Sequence, residues 1–206
     1  MEPGFRQLPG AKRRKILDAA LEEFAAHEYK AANTDTIAAR AGISKGLLFY
    51  YFKNKKALYL TLLKYMANTI EREIKFDPPE TKVDFFDWLE QLSAQKIPAL
   101  KKMPGLLAFS MKAYYHPAGE LSGVVNHYMV TMSEKMYAKY LANADESKFR
   151  PEYTPRQAMD LLIYLTDGYL HTKMMAGEEL DLDALFAEYL KWQEMVRRTV
   201  YKEEFL

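Results

Sequence analysis

The stretch of sequence that decides the fold is residues 34–55, TDTIAARAGISKGLLFYYFKNK. Thr34 is predicted to cap a short amphipathic helix. Gly42 follows that helix, where a left-handed residue closes the last turn at little steric cost. Ser44 is a second capping residue and predicts another helix from Lys45. Two short helices joined around one glycine predict a helix-turn-helix.

The beginning of the second helix carries the candidate DNA contacts. In a helix-turn-helix, the N-terminal residues of the second helix reach base edges in a major groove, and lysines nearby contact phosphate oxygens. The predicted interface therefore comprises Thr34, Ser44, Lys45, Gly46, Leu47, Tyr50, Lys53 and Lys55.

The same residues carry a family resemblance. From Thr34 to Leu58, through IAARAGISKGLLFYYFKNKKAL, the chain closely resembles the DNA-binding signature of the TetR family of transcriptional regulators. Two positions depart from it. Phe49 stands where the family usually has Tyr, so it offers no hydroxyl to a phosphate. Leu47 stands where Ser or Thr is common, which favours an apolar contact such as a thymine methyl.

Charge is divided unevenly along the chain. The net charge of the 206 residues is +1, yet residues 1–60 contain 11 Lys or Arg against 6 Asp or Glu, so this end carries +5 and the remainder −4. A basic end on a mildly acidic body is typical of a DNA-reading head. The N-terminus has no apolar run of a signal peptide, and no segment approaches the ~20 apolar residues that span a bilayer. We expect a cytoplasmic protein without a membrane contact.

Apolar spacing predicts an all-α fold of about nine helices, with a three-helix DNA-binding head and a helical body. Two Pro and two Gly in residues 1–10 predict a loose arm, and Asp77-Pro78-Pro79 and Pro98 are expected to end or kink helices. Residues 143–154 are expected to be a polar loop. We divide the chain into a DNA-binding domain, 1–56, and a ligand-binding and dimerisation domain, 57–206. The predicted helices are 11–28, the two of residues 34–55, about 54–76, 81–100, 105–115, 118–143, 155–176 and 181–201.

Catalytic and metal-binding patterns are missing from the sequence. The absence of Cys excludes disulfides and thiolate metal sites. The four histidines lack zinc-ligand spacing, although His116 and His127 could in principle meet Glu120, and no nucleotide-binding or serine-hydrolase motif occurs. We therefore predict no cofactor, no metal, no catalytic residue and no enzymatic activity.

The middle of the chain is rich in Met, Tyr and Phe, which is typical either of an ordinary core or of an apolar pocket between helices. The family resemblance favours a pocket for the region as a whole. The candidate pocket residues are Trp88, Phe109, Tyr114, Tyr128, Met132, Tyr164 and Asp167.

Broad apolar stripes mark the last two predicted helices and face either the protein's own core or a second subunit. TetR-like proteins usually dimerise through these helices as a four-helix bundle, and helix-turn-helix proteins normally bind two half-sites as dimers. The candidate homodimer residues are Tyr169, Met174, Phe186, Tyr189, Trp192 and Val196.

Taken together, the resemblance implies a repressor that a small apolar or amphipathic effector releases from a palindromic double-stranded DNA operator. Two other functions stay open. A ligand-independent architectural or cell-division protein could share the fold, and its DNA affinity would not respond to small molecules. A helical-bundle enzyme would bind no duplex DNA.

Overall fold

The computed structural model describes residues 3–74, 79–115 and 119–206. Within these ranges the protein is all-α, as predicted, with ten α-helices, three 3-10 turns and no strand beyond two isolated bridges. The helices are α1 (Pro3–Gln7), α2 (Gly10–Ala26), α3 (Thr34–Ala41), α4 (Lys45–Phe52), α5 (Lys55–Ile74), α6 (Phe85–Lys101), α7 (Pro104–Tyr115), α8 (Ser122–Leu141), α9 (Pro155–Met175) and α10 (Leu182–Val200).

The described residues pack as two compact units. The first lies within residues 1–72 and 102–130, and its core gathers apolar side chains from α1 to α5, α7 and the beginning of α8. The second lies within residues 73–101 and 131–206, and its core is built on aromatic side chains of α6 and the chain's last residues, including Phe85, Phe149 and Tyr201. The predicted division at residue 56 concerns function rather than packing, and it stays a prediction.

The N-terminal segment is not the predicted loose arm, because residues 3–7 form α1. Phe5 is only 3% exposed. Its ring centroid lies 4.7 Å from that of Phe52 and 5.6 Å from that of Tyr51. Burial of one large aromatic side chain against α4 thus orders a segment whose Pro and Gly content alone predicts a coil.

The helix predicted at residues 81–100 begins later and is not ended by Pro98. Asp84 Oδ1 accepts hydrogen bonds from the backbone N–H groups of Phe86 and Asp87, so this cap sets the beginning of α6. Val83 lies before the helix and pairs with Ala144 in an isolated bridge. A proline inside a helix removes one backbone hydrogen bond, and burial on the same helix continues beyond it.

Several smaller features refine the prediction. The expected polar loop at 143–154 contains a 3-10 turn, Glu146–Lys148, and the buried Phe149, which pairs with Tyr201 in the second isolated bridge. Helix α9 begins as predicted, with Thr154 as its cap in a capping box and Pro155 as its first residue. The predicted break at 77–78, the helix end at 75–76 and His116 lie outside the described residues.

Candidate nucleic-acid interface

Two caps and a left-handed glycine hold α3 and α4 at a sharp turn. Asn33, rather than the predicted Thr34, caps α3, because its Oδ1 accepts a hydrogen bond from Asp35 N at 2.8 Å. Gly42 has φ 67° and ψ 38°, where a side chain would be strained. Gly42 N donates to Ala39 O and Ile43 N to Ala38 O, both at 3.0 Å, which is the hydrogen-bond pattern of a Schellman motif.

Helix α4 presents one end to solvent and buries the rest. Ser44 caps the helix as predicted, with its Oγ accepting from Leu47 N at 3.2 Å. Lys45 and Gly46 are exposed, whereas Leu48 and Phe52 are fully buried in the core of the first unit. The core therefore fixes the helix while its N-terminal end stays accessible. Two further candidate contacts, Leu47 and Tyr50, are half-buried and 62% exposed, respectively.

Gly46 is not required by the packing of the protein itself. A Cβ built at this position would meet only Ser44 Oγ, at 4.0 Å. Glycine within a helix is otherwise a cost in stability relative to alanine. A small residue here leaves room for the close approach of an external backbone or base edge.

The cations of the interface have protein partners as well as solvent. Lys45 Nζ lies 2.8 Å from Asp35 Oδ2, so an ion pair links α4 to α3. Lys55 Nζ donates to Lys30 O at 3.0 Å and to Ala32 O at 2.8 Å, and it lies 5.0 Å from the centroid of the Tyr29 ring. Lys55 thereby ties the beginning of α5 to the loop that precedes α3. An ammonium has three donors, so one stays available after these two hydrogen bonds.

Lys53 stands at a strained junction between α4 and α5. Its φ of 65° is the only positive φ of a non-glycine residue among the described residues. Asn54 N donates to Phe52 O at 2.7 Å across it, which makes a γ-turn of the rare, strained hand. Asn54 then caps α5 through Oδ1, which accepts from Ala57 N at 2.8 Å. The turn leaves the Lys53 side chain exposed directly after the recognition helix.

Two residues outside the predicted set also shape the head. The ammonium of Lys15 on α2 lies 3.4 Å from the position a Cβ would take on Gly42, so a cation stands over the turn. Glu23 is 2% exposed, and its Oε1 accepts a hydrogen bond from Asn33 N at 2.8 Å while Oε2 lies 3.6 Å from Arg40. The basic cluster in residues 12–15 indicated Lys15, whereas an acid on the apolar face of α2 gave no sequence signal of its role.

The candidate pocket residues are divided between the two units. Three belong to the first: Phe109 is fully buried, Tyr114 is 46% exposed, and the Tyr128 hydroxyl donates to Leu63 O at 3.2 Å. The other four, Trp88, Met132, Tyr164 and Asp167, belong to the second unit. Tyr164 is 69% exposed, so it lies on a surface rather than in a cavity of that unit.

Most of the candidate dimer residues contact the second unit's own core. Val196 is 4% exposed within that core, and Tyr189 and Trp192 pack against it. Tyr169 stacks edge-on with Trp192, with ring centroids 5.7 Å apart. The remaining two, Met174 and Phe186, are half-buried.

The apolar residues of α9 that do face solvent are different ones. Leu161, Tyr164 and Met175 are 43%, 69% and 76% exposed. Together with Gly168 and His171 they repeat at alternating steps of three and four, which places them on one stripe of the helix. A Cβ at Gly168 would meet nothing within 4 Å, so a neighbouring backbone could approach closely there. The last two predicted helices thus do offer an apolar face, but through residues that the stripe analysis did not select.

Metal-ligating side chains do not gather in the part of the chain that the structure describes: no three His, Asp or Glu groups come close enough to hold an ion. No described helix has the length and apolar character needed to cross a membrane.

Comparison with known proteins identifies the head. The family described as "Bacterial regulatory proteins, tetR family" matches residues 16–62. The HTH-type transcriptional repressor SCO4008 of Streptomyces coelicolor is 32% identical over 84 residues, 41% of this chain and 42% of the repressor. The match thus spans less than half the length of this curated relative.

Two solved structures share the fold over nearly the whole chain. A complex of SmeT, a Stenotrophomonas maltophilia efflux-pump repressor, with triclosan has a TM-score of 0.73 at 20% identity, covering 95% of this chain and 94% of SmeT. The transcriptional regulator FadR from Bacillus subtilis, in complex with stearoyl-CoA, has a TM-score of 0.64 at 24% identity, covering 87% and 96%. At such identities the likeness establishes the fold alone.

Proposed function

The chain belongs to the TetR family of bacterial regulatory proteins, and we propose that it acts as a ligand-responsive repressor on a palindromic operator. The observation that carries this proposal is the exposed N-terminal end of α4, held by caps on both sides of Gly42. In this role the chain catalyses no reaction and works in the cytoplasm, where its operator is.

In the proposed complex, α4 lies in a major groove with Lys45, Gly46 and Leu47 nearest the base edges. Lys53 and Lys55 stand where phosphate oxygens would pass, and Thr34 adds a neutral phosphate contact at the beginning of α3. The base edges supply sequence preference, whereas the phosphate contacts supply affinity that falls as salt rises.

A second copy of the chain completes the DNA reader. Two recognition helices meet successive major grooves only when two heads are held about 34–36 Å apart, or a multiple of that distance. We assign the dimer contact to the exposed stripe of α9, the face that carries Leu161, Tyr164 and Met175, because it combines apolar side chains with the accessible backbone of Gly168. An exposed apolar stripe of this kind is typical of an interaction surface.

A small apolar or amphipathic effector in the helical body would release the DNA. Triclosan in SmeT and stearoyl-CoA in FadR are ligands of those proteins and support this class of effector here. Helix α5 begins directly after the recognition helix, so a shift of α5 would change the spacing of the two heads. The effector acts allosterically only if the two spacings bind it with different affinities.

The test is selection of bound duplexes from a random pool with purified full-length protein. We expect enrichment of a near-palindromic sequence with two half-sites. Binding of the selected duplex should weaken when the exposed cation of α4 is removed by Lys45→Ala. Selection that enriches no palindrome would contradict the proposal.

A further inference from the structure

Helices α6 and α10 of the second unit run antiparallel and in contact. Near the beginning of α6, Asp87 Oδ1 accepts a hydrogen bond from Arg197 at 2.9 Å. Near its end, Lys101 Nζ lies 2.6 Å from Asp183 Oδ1. These two ion pairs fix the register, so the middle of α6 faces the middle of α10.

Lys96 occupies the centre of the buried face of α6. At about 100° per residue, Phe85, Leu89, Leu92 and Leu100 fall on one side of the helix, and position 96 lies between them. Such a position is normally apolar. The lysine therefore needs an explanation that a solvated surface charge does not.

The ammonium of Lys96 lacks a counter-charge among the described residues. The side chain keeps some exposed surface, but its charged end lies deep enough that burial lowers its pKa. Burial is the only cause of that lowering, since no described carboxylate or hydrogen-bond acceptor acts on it. A buried lysine without a partner is costly, and such groups mark functional sites more often than structural ones.

A second unused donor lies on the facing helix. Gln193 of α10 is 4% exposed, and its Nε2 has no hydrogen-bond partner among the described residues. It neighbours the Tyr189 hydroxyl, whose pKa is raised by burial while the Gln193 and Ser93 side chains oppose that rise. Ser93 precedes Lys96 by one helical turn, so the amide and the lysine belong to one polar cluster within an otherwise apolar interior.

The direction of helical side chains brings the two donors together. Side chains on a helix lean toward its N-terminus, so the stem of Lys96 runs back over the turn that contains Ser93. That is the side on which Gln193 lies. An anion placed there would meet an ammonium and an amide N–H at once.

We propose that Lys96 and Gln193 bind the carboxylate of an otherwise apolar effector, with the carboxylate held between α6 and α10. The proposal rests on the ligand-responsive function inferred above and specifies the chemical class of its ligand. Leu92 and Leu100 flank the lysine on α6 and suit a hydrocarbon body. A carboxylate accepts both donors, whereas an alcohol of equal length supplies no charge for the ammonium.

The test compares matched acids and alcohols. Hexanoate, decanoate and tetradecanoate, each beside the alcohol of the same length, are titrated into full-length protein by calorimetry. At least one acid should bind at least about tenfold more tightly than its alcohol, and Lys96→Met should abolish that preference while leaving alcohol binding unchanged. Gln193→Leu should reduce it in the same direction.

Lys191→Met is the matched control, because Lys191 is 69% exposed on α10 and pairs with Glu188. It should leave both ligand classes unaffected. In the unmodified protein, the ε-methylene signal of Lys96 should shift with the bound acid and not with the alcohol, which tests the contact without any substitution. Equal binding of acid and alcohol, or an acid preference that survives Lys96→Met, would overturn the proposal.

The two proposals fail separately. A protein that selects a palindromic duplex but binds no acid through Lys96 stays a DNA reader and loses this ligand site. A protein that binds acids through Lys96 but selects no duplex keeps the site and loses the regulatory function.

Discussion

Lys45, the first residue of the recognition helix, is ion-paired to Asp35 of the preceding helix, with 2.8 Å between Nζ and Oδ2. Both side chains are at least half exposed. The pair therefore contributes little to stability, since exposed ion pairs are worth about 0–1 kcal/mol. Its main consequence is that a cation placed to meet DNA is partly neutralised in the free protein.

Asp35→Asn should strengthen binding to duplex DNA. The substitution frees Lys45, removes a negative charge near the phosphates and keeps the backbone N–H that Asn33 caps. We expect a gain of about twofold to tenfold at low salt, shrinking as salt rises, measured by fluorescence anisotropy. Asp183→Asn is the control, because it removes another exposed carboxylate paired with a lysine, Lys101. Unchanged or weaker binding by Asp35→Asn would contradict the prediction.

Gly46→Ala should separate stability from DNA binding. The added methyl group has room in the protein, and alanine favours the helix, so the free energy of unfolding should rise by up to about 0.5–1 kcal/mol. The same methyl group would block close approach to the groove, so operator affinity should fall. Gly105→Ala is the matched control, since Gly105 is also the second residue of its helix with open space around it. An unchanged operator affinity would show that the DNA does not need the glycine.

Lys55→Ala should affect both folding and DNA binding. Its ammonium donates to two backbone carbonyls, and losing them should lower the free energy of unfolding by about 1–2 kcal/mol. The third donor is available to a phosphate, so binding should weaken on every sequence and the salt slope should flatten by about one unit. Lys56→Ala removes an exposed neighbouring charge and should leave stability unchanged. A DNA effect confined to one base-pair variant would contradict the phosphate role.

Local chemistry explains what the sequence predicted well. Gly42 and Ser44 fall at their predicted places because a left-handed turn and a helix cap each need particular residue types. Thr34 and Asn33 are both capping residues, and the choice between them was made by Glu23, which binds Asn33 N from a helix ten residues earlier. That selection depends on tertiary contact, which adjacent residues do not encode.

The helical body was predicted in outline and not in its surfaces. The stripe of α10 that carries Tyr189, Trp192 and Val196 is apolar, but periodicity does not reveal which neighbour covers it. Phe5 lay among residues whose composition favours a coil, and only its contact with Phe52 orders them. Lys96 was overlooked because a single lysine on an apolar face breaks the pattern that defines the face.

Leu161→Arg should dissociate the proposed dimer without unfolding the protomer. Leu161 is 43% exposed on the apolar stripe of α9, so an arginine there is solvated in the monomer but buried and unpaired between two subunits. Light scattering should show a monomer, and circular dichroism should show unchanged helix content. Operator binding should weaken strongly, because two linked heads bind more tightly than one.

Val196→Ala is the contrasting variant, since Val196 is 4% exposed in the protomer's own core. It should lower the free energy of unfolding by about 1–3 kcal/mol and leave the folded protein dimeric. If Val196→Ala dissociated the dimer while Leu161→Arg did not, the contact would belong to the α10 stripe instead.

The last prediction concerns Asp84, which joins three elements of the second unit. Its Oδ2 lies 2.8 Å from Lys148 Nζ and 3.5 Å from Arg197, while Oδ1 caps α6. Burial alone would raise the pKa of Asp84, but the hydrogen bonds from Lys148 and Asp87 N and the charges of Arg197 and Lys148 lower it below the usual 3.8. Because the folded protein holds the proton less tightly than the unfolded chain, the ionised carboxylate stabilises the fold above about pH 4.

This stabilisation should disappear as the pH falls below about 4 and through the lowered pKa of the folded state. Asp84→Asn keeps a capping oxygen and removes the charge, so it should lower the free energy of unfolding by about 1–3 kcal/mol at neutral pH and by progressively less in acid. Urea unfolding at several pH values measures the difference. Glu178→Gln breaks an exposed pair with Lys173 and should show almost no effect at any pH. A deficit for Asp84→Asn that stayed constant down to pH 2 would mean that the cap, rather than the charge, carries the contribution of this residue.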